Sequence, residues 1–252
     1  MGFLAAMYGL ACYVVFLTSF LYAIGFIGDI GVPKSIDTGP TTDIPEAFAI
    51  NLALLSLFAV QHSVMARQSF KAVWTRIVPR AVERSTYVLI SSLLLGFICW
   101  KWQAIPVVVW DVSSPVLRWL LTVLFALGWL VLLVSTFLIN HFDLFGLRQV
   151  FLRLRGIDYK PVNFTERALY RFVRHPLYLG FVIAFWATPH MSVGHLLFSV
   201  GTTAYILIGI FLEERDLMES HGAEYGAYRA RVPMLLPTGP KRGGLRSAKA
   251  AD

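Results

Sequence analysis

WLLTVLFALGWLVLLVSTFLI, residues 119–139, carries no charge across its whole length. A helix of about 20 apolar residues rises about 30 Å, the depth of a bilayer's hydrocarbon core. Similar runs recur on both sides of it. They cover Phe3 to Gly28, Ala47 to Ala66 and Thr86 to Trp102. The last apolar region, Leu177 to Leu212, is broken near Pro189-His190 and again at Gly194. It reads as a helical hairpin with a short arm, Leu177 to Thr188, and a longer one, Gly194 to Leu212. The short arm is about 18 Å long, so five and six crossings both fit. The expected fold is an all-α, polytopic membrane helical bundle with five to six transmembrane helices, including the C-terminal hairpin.

Composition agrees. The chain is 57% hydrophobic and 15% charged, with a mean hydropathy of +0.64. Soluble domains average about 25% charged residues, and a chain this apolar needs lipid to cover it. A lipid bilayer is therefore an expected partner. Cys12 and Cys99 both lie inside apolar runs and read as packing residues, without a disulfide or metal spacing. The first run lacks a basic leader segment, so no cleavable signal peptide is expected. Residues 1–237 read as a single membrane domain, and 238–252 as a disordered basic tail.

The net charge of +7 is distributed in blocks that flank the apolar runs. That is a topology signal rather than a nucleic-acid footprint, and no nucleic-acid partner is expected. The loop at 67–85 has five basic residues against Glu83, and the loop at 140–176 has seven against three acidic. The loops at 28–46 and 101–118 are acidic or nearly neutral. The alternation predicts six crossings of the cell (inner) membrane, with both termini cytoplasmic. Within the 140–176 loop, Thr165 followed by 167–173 suggests a capped, short amphipathic helix.

This topology gathers polar residues at one boundary. His62 ends the second run, and Asn140, His141 and Asp143 end the fourth. Arg174 and His175 open the hairpin, and Glu213, Glu214 and Arg215 close it. Ionisable groups at membrane depth are expensive, so a convergent set marks a candidate site. Each residue alone also reads as a hydrated interfacial group, and Arg229 and Arg231 as lipid-phosphate contacts. The most specific segment is Arg174-His175-Pro176-Leu177-Tyr178-Leu179-Gly180. Pro176 suits a helix start, whose free N–H groups can meet a carboxylate. A hairpin brings this segment to Glu213-Glu214-Arg215-Asp216, followed by Tyr225, Tyr228 and the run from Arg231 to Pro237.

The paired signature resembles that of the integral membrane methyltransferases, which include isoprenylcysteine carboxyl methyltransferases and phospholipid methyltransferases. The resemblance covers about residues 160–237, and implies that this half encloses S-adenosylmethionine. It implies that His175, Tyr178 and Gly180 line the cofactor pocket, with Arg174 and Tyr228 beside them. Glu213 and Glu214 would meet the cofactor's polar groups, and Arg231 would close the site. A narrower resemblance rests on Asn140-His141-Phe142-Asp143-Leu144-Phe145-Gly146 and Gln61-His62-Ser63-Val64-Met65-Ala66-Arg67. These segments are similar to bacterial methanethiol S-methyltransferases of the nurim-like family, and imply conversion of methanethiol to dimethyl sulfide.

Methyl transfer from a sulfonium to a thiolate removes one charge of each sign, which suits a dry pocket. The expected partner is a small-molecule thiol. It offers little binding energy, so its pocket should be small and aromatic. Asn140, Phe142 and Phe145 are the expected substrate contacts, with Phe181 and Trp186 as further aromatic candidates. A thiol must lose its proton, and His141, Asp143 or His62 could accept it. The same three residues could alternatively hold a metal, although no metal motif is present and none is expected. Two other readings compete: a non-enzymatic nurim-like membrane scaffold, and an NADPH-dependent sterol-reductase-like enzyme. The oligomeric state is not legible from sequence.

Overall fold

The computed structural model describes residues 2–161 and 166–237. Expectations that rest on Thr165 and on the tail at 238–252 fall outside those residues. Five helices are long and apolar enough to cross a membrane. They are α1 (Gly2–Gly28), α2 (Ile44–Ala66), α4 (Arg80–Lys101), α5 (Pro115–Ile139) and α9 (Val193–Arg231). Between them lie the short helices α3 (Gln68–Trp74), α6 (His141–Leu144), α7 (Leu147–Leu154) and α8 (Pro176–Trp186). Two short strands, β1 (Val108–Asp111) and β2 (His190–Ser192), and one 3-10 turn (Ala168–Arg171) complete the described elements.

Local chemistry sets the helix starts. Pro115 and Pro176 stand in the first turns of α5 and α8, where a missing N–H costs nothing. Ser192 caps α9 by accepting from the His195 N–H at 3.0 Å, and Asn140 caps α6 by accepting from Asp143 at 3.1 Å. Leu10, Val14, Leu120, Leu127, Phe137, Ile208 and Phe211 face outward. Trp102, Phe26, Phe185, Phe198 and Ile210 fill the interior. Exposed apolar rows around a packed aromatic core are what lipid as solvent requires.

The hairpin's short arm is tied at both ends. At one end, which also carries the basic loops, His175 bonds Glu214. At the opposite end β2 pairs antiparallel with β1, in the connection between α4 and α5. From Val193 to Glu214, α9 rises about 32 Å. The opposing limb covers a similar height with the 11 residues of α8, about 16 Å, followed by extended chain to Ser192. The α8 limb, only partly helical, thus runs back along the bundle beside the five long helices. The strand pair was not anticipated, and Ser192 is further fixed by donating to Asp37.

α8 can lie close against α5 because glycines meet there. A Cβ at Gly180 would stand 2.7 Å from both the Gly128 oxygen and the Leu132 nitrogen, and one at Gly128 would stand 2.7 Å from the Ala184 nitrogen. Small residues at this spacing let helix backbones approach in lipid. Gly222, with φ +50° and ψ −119°, breaks α9 at its outer end. The following turns fold back, so that Arg229 reaches Glu214 and Gly226 lies near Met218. Instead of an amphipathic helix over 167–173, the described residues form one 3-10 turn, Ala168–Arg171. Ala168, at φ +46°, keeps the chain from continuing into a regular helix.

Candidate active site

The first cluster joins the start of α8 to the outer half of α9. The main-chain N–H of Arg174 donates to the Pro233 carbonyl at 2.9 Å, and that of His175 to Met234 at 3.2 Å. The two signature segments are therefore bonded to each other. Arg174 Nε donates to Glu214 Oε1 at 2.7 Å, and its Nη1 donates to the carbonyls of Arg229 and Val232. One buried guanidinium thus pairs a carboxylate and satisfies the end of the folded-back helix. His175 Nε2 donates to Glu214 Oε1 at 3.0 Å, and Arg229 Nε approaches Oε2 at 3.1 Å.

Up to the break at Gly222, α9 rises about 43 Å, more than a bilayer core. Its apolar part ends at Leu212, so Glu214 lies outside the spanning segment. Burial alone would raise the Glu214 carboxyl. The hydrogen bonds from His175 and Arg174 outweigh it and hold the group below the usual carboxylate range. Tyr178 donates to Glu213 Oε2 at 3.0 Å. An open cavity of about 410 Å³ lies beside this cluster, lined by Arg174, Met218, Gly226, Arg229 and Ala230.

Other signature residues support the cluster from outside. Tyr228 is buried and donates to the Tyr170 carbonyl at 2.7 Å. Arg231 pairs with both oxygens of Glu166 at 3.1 Å. The two residues hold the 166–171 segment against the end of α9. Gly180 faces α5 at the helix crossing.

A second cluster surrounds His62. The Ser91 hydroxyl donates to Gln61 Oε1 at 3.3 Å and lies 3.2 Å from His62 Nδ1. The Tyr87 hydroxyl is 2.8 Å from His62 Nε2. Phe58 stacks on the imidazole at 5.2 Å, and Tyr205 meets its edge at 6.5 Å. Ser63 donates to the Tyr205 hydroxyl at 3.3 Å and Arg67 pairs with Asp216 at 3.1 Å, so this cluster adjoins the signature.

The third cluster surrounds His141. Its Nδ1 lies 2.8 Å from the Thr136 hydroxyl, and its Nε2 lies 2.8 Å from the Tyr13 hydroxyl. Phe137 stacks on the ring at 4.4 Å, with Phe142 and Phe145 on its edges. Burial pushes the His141 pKa down, so the ring is neutral near pH 7. Asp143 points elsewhere. It pairs with Arg148 at 2.9 Å and accepts from Tyr159 at 3.2 Å. Phe142 is half exposed, while Phe145 stacks on Phe16 at 3.9 Å and packs against the Tyr87 group.

The residues singled out in the sequence thus fall into three neighbouring clusters rather than one constellation. Asp143 does not contact either histidine in hydrogen-bond range. Among the described residues, no three His, Cys, Asp or Glu side chains are placed to hold a metal. Tyr13, Tyr87, Ser91, Thr136 and Tyr205 escaped the sequence reading. Their signal was present, since a hydroxyl inside an apolar run needs a partner.

The family described as NnrU protein matches residues 51–235. The chain is 55% identical to the methanethiol S-methyltransferase of Mycobacterium tuberculosis over 93% of its own length and 96% of that protein's. It is likewise 55% identical to methanethiol S-methyltransferase 1 of Bradyrhizobium diazoefficiens, over 93% of this chain and 82% of that one. Nurim of Rattus norvegicus is 32% identical over 68% of each chain. No solved structure matches.

Proposed function

The chain belongs to the NnrU protein family, and on that footing we propose that it is a membrane methyltransferase that converts methanethiol to dimethyl sulfide. Its relatives named methanethiol S-methyltransferase, at 51–55% identity over most of the chain, carry the reaction class. S-adenosylmethionine is the methyl donor in this reading. The observation that supports it is the buried Arg174–Glu214–His175 set beside an open cavity. A zwitterionic sulfonium needs carboxylates for its cationic groups and a guanidinium for its carboxylate. Glu213 and Glu214, with the half-exposed Arg229 at the rim and the buried Arg174 behind it, offer that donor set. A cavity of about 410 Å³ is within the range that holds a cofactor-sized ligand.

In this reading Arg174, His175, Tyr178, Glu213 and Glu214 bind and orient the donor. Tyr228 and Arg231 brace the wall, and Gly180 lets α8 approach α5. When bound, the donor supplies an electrophilic methyl group. The protein supplies orientation, exclusion of water and a place for the thiol proton. The attacking sulfur and leaving sulfur are both neutral at the end, so a dry, preorganised site favours the transfer. Asn140, Phe142 and Phe145 stay assigned to the substrate side. Dimethyl sulfide is apolar and leaves through lipid.

Equilibrium binding to the purified protein in detergent tests the donor assignment. S-adenosylmethionine should bind and NADPH should not. Preference for NADPH would move the chain toward the reductases, and binding of neither would favour the scaffold reading shared with nurim.

We also place the site and both termini on the cytoplasmic side of the cell membrane. The basic loops at 67–85 and 140–176 lie at the site end. There Ser85 donates to the Gly146 carbonyl at 3.2 Å, and Arg84 donates to the Leu144 carbonyl at 2.7 Å. Cys12 and Cys99 are buried, so background labelling by an impermeant thiol reagent should be low. With Arg155→Cys, only inside-out vesicles should label. With Asp111→Cys, intact cells should. The reverse pattern would overturn this orientation.

A further inference from the structure

The reading above leaves three candidate acceptors for the thiol proton, and hydrogen-bond bookkeeping separates them. A serine hydroxyl has one proton to give. When its proton goes to Gln61 Oε1, an atom that can only accept, Ser91 accepts from His62, which puts the imidazole hydrogen on Nδ1. That leaves the Nε2 lone pair facing the Tyr87 hydroxyl at 2.8 Å. Tyr87 donates to it at this shorter distance in preference to the His62 carbonyl at 3.4 Å, and its oxygen lone pairs can meet another donor. Thr136 fixes the His141 tautomer in the same way, since its proton goes to the Leu133 carbonyl at 2.7 Å. The two pairs differ in what they face. The Tyr13–His141 pair is ringed by Phe137, Phe142 and Phe145, of which the first two face outward, away from the signature. The Tyr87–His62 pair reaches the signature, since Tyr205 of α9 meets the His62 ring and Arg67, at the end of α2, pairs with Asp216 at 3.1 Å.

We propose that Tyr87 is the group that touches the thiol, that His62 is the terminal base, and that Ser91 is a positioning residue. This rests on the methyltransferase reading above. The S–H proton passes to the Tyr87 oxygen while the Tyr87 proton passes to His62 Nε2. The sulfur lone pair forms the new bond to the methyl carbon, and the old methyl–sulfur bond leaves its pair on the donor sulfur. Dimethyl sulfide and S-adenosylhomocysteine leave neutral, and the proton on His62 returns to water. The charged and titratable groups around the pair are Arg84 and Glu83 from α4, Tyr205 from α9 and Tyr178 from α8. Arg84 lies 5.0 Å from the Tyr87 ring centre, and its positive charge disfavours a lasting imidazolium on His62, so the proton leaves in each turnover.

The test varies the acidity of the acceptor at nearly constant shape. Methaneselenol resembles methanethiol in size but is ionised at neutral pH, so it needs no base. In purified full-length protein, Tyr87→Phe should lower kcat with methanethiol by about 10²–10⁴-fold. The same variant should methylate methaneselenol within about tenfold of wild type. Calorimetric affinity for S-adenosylmethionine should be unchanged. Ser91→Ala should lower kcat for methanethiol without changing KM, again sparing the selenol. Equal losses with both acceptors, or full methanethiol activity in Tyr87→Phe, would overturn the relay. If Tyr87→Phe no longer binds S-adenosylmethionine, His62→Gln is read by the same criteria. A wild-type protein that methylates neither acceptor removes the methyltransferase reading, and the relay with it.

Discussion

Glu214→Ala should destabilise the protein by about 3–5 kcal/mol and weaken S-adenosylmethionine binding at least tenfold. Arg174 is buried, and Glu214 is its carboxylate partner at 2.7 Å. Deleting that carboxylate leaves a guanidinium in a dry site, with His175 and Arg229 released as well. Thermal unfolding in detergent reads the first effect, and calorimetry the second. Glu214→Gln keeps the shape and should fall between wild type and alanine. The pH dependence follows from the sign of the shift. A carboxyl whose folded pKa is depressed stabilises the fold above its unfolded value, about 4, and loses that contribution as pH falls through the folded value. Wild-type stability should therefore be level near neutrality and decline in acid, and Glu214→Ala should lack that decline. A variant as stable as wild type would mean that the cluster is solvated and weakly coupled.

Gly180→Val is expected to be the other severe change. Its Cβ would stand 2.7 Å from backbone atoms of Gly128 and Leu132, which cannot turn aside as a side chain can. The helices must separate or α8 must rotate, at a cost of about 1–3 kcal/mol or more. Either motion moves Tyr178 and His175, so activity and donor affinity should fall together. Leu179→Val, one residue earlier and away from that contact, is the control. A Gly180→Val protein that unfolds at the wild-type temperature would show that α5 and α8 do not meet this closely.

The spans were legible because lipid imposes one requirement, length without charge, that a single sequence displays openly. The pairing of Arg174-His175 with Glu213-Glu214 was legible because the break at Pro189-His190 forces a hairpin. The rotation of each helix was not. Whether Tyr13 or Tyr87 turns toward a histidine depends on packing of α1 on α6 and of α4 on α2, and one sequence does not encode that openly. Asp143 shows the same limit, since two residues past His141 it faces Arg148 and Tyr159 instead. The fold-back at Gly222 rests on a backbone angle, and the strand pair on seven residues in two distant loops. Both are too short to leave a periodic pattern.

Methyl transfer to a small thiol is read most directly by headspace detection of dimethyl sulfide. Purified protein in detergent, given methanethiol and S-adenosylmethionine, should release dimethyl sulfide in equal amount to S-adenosylhomocysteine. Omitting the thiol should abolish both products. Protein that binds S-adenosylmethionine yet forms no dimethyl sulfide, or forms S-adenosylhomocysteine regardless of the thiol, would contradict the account.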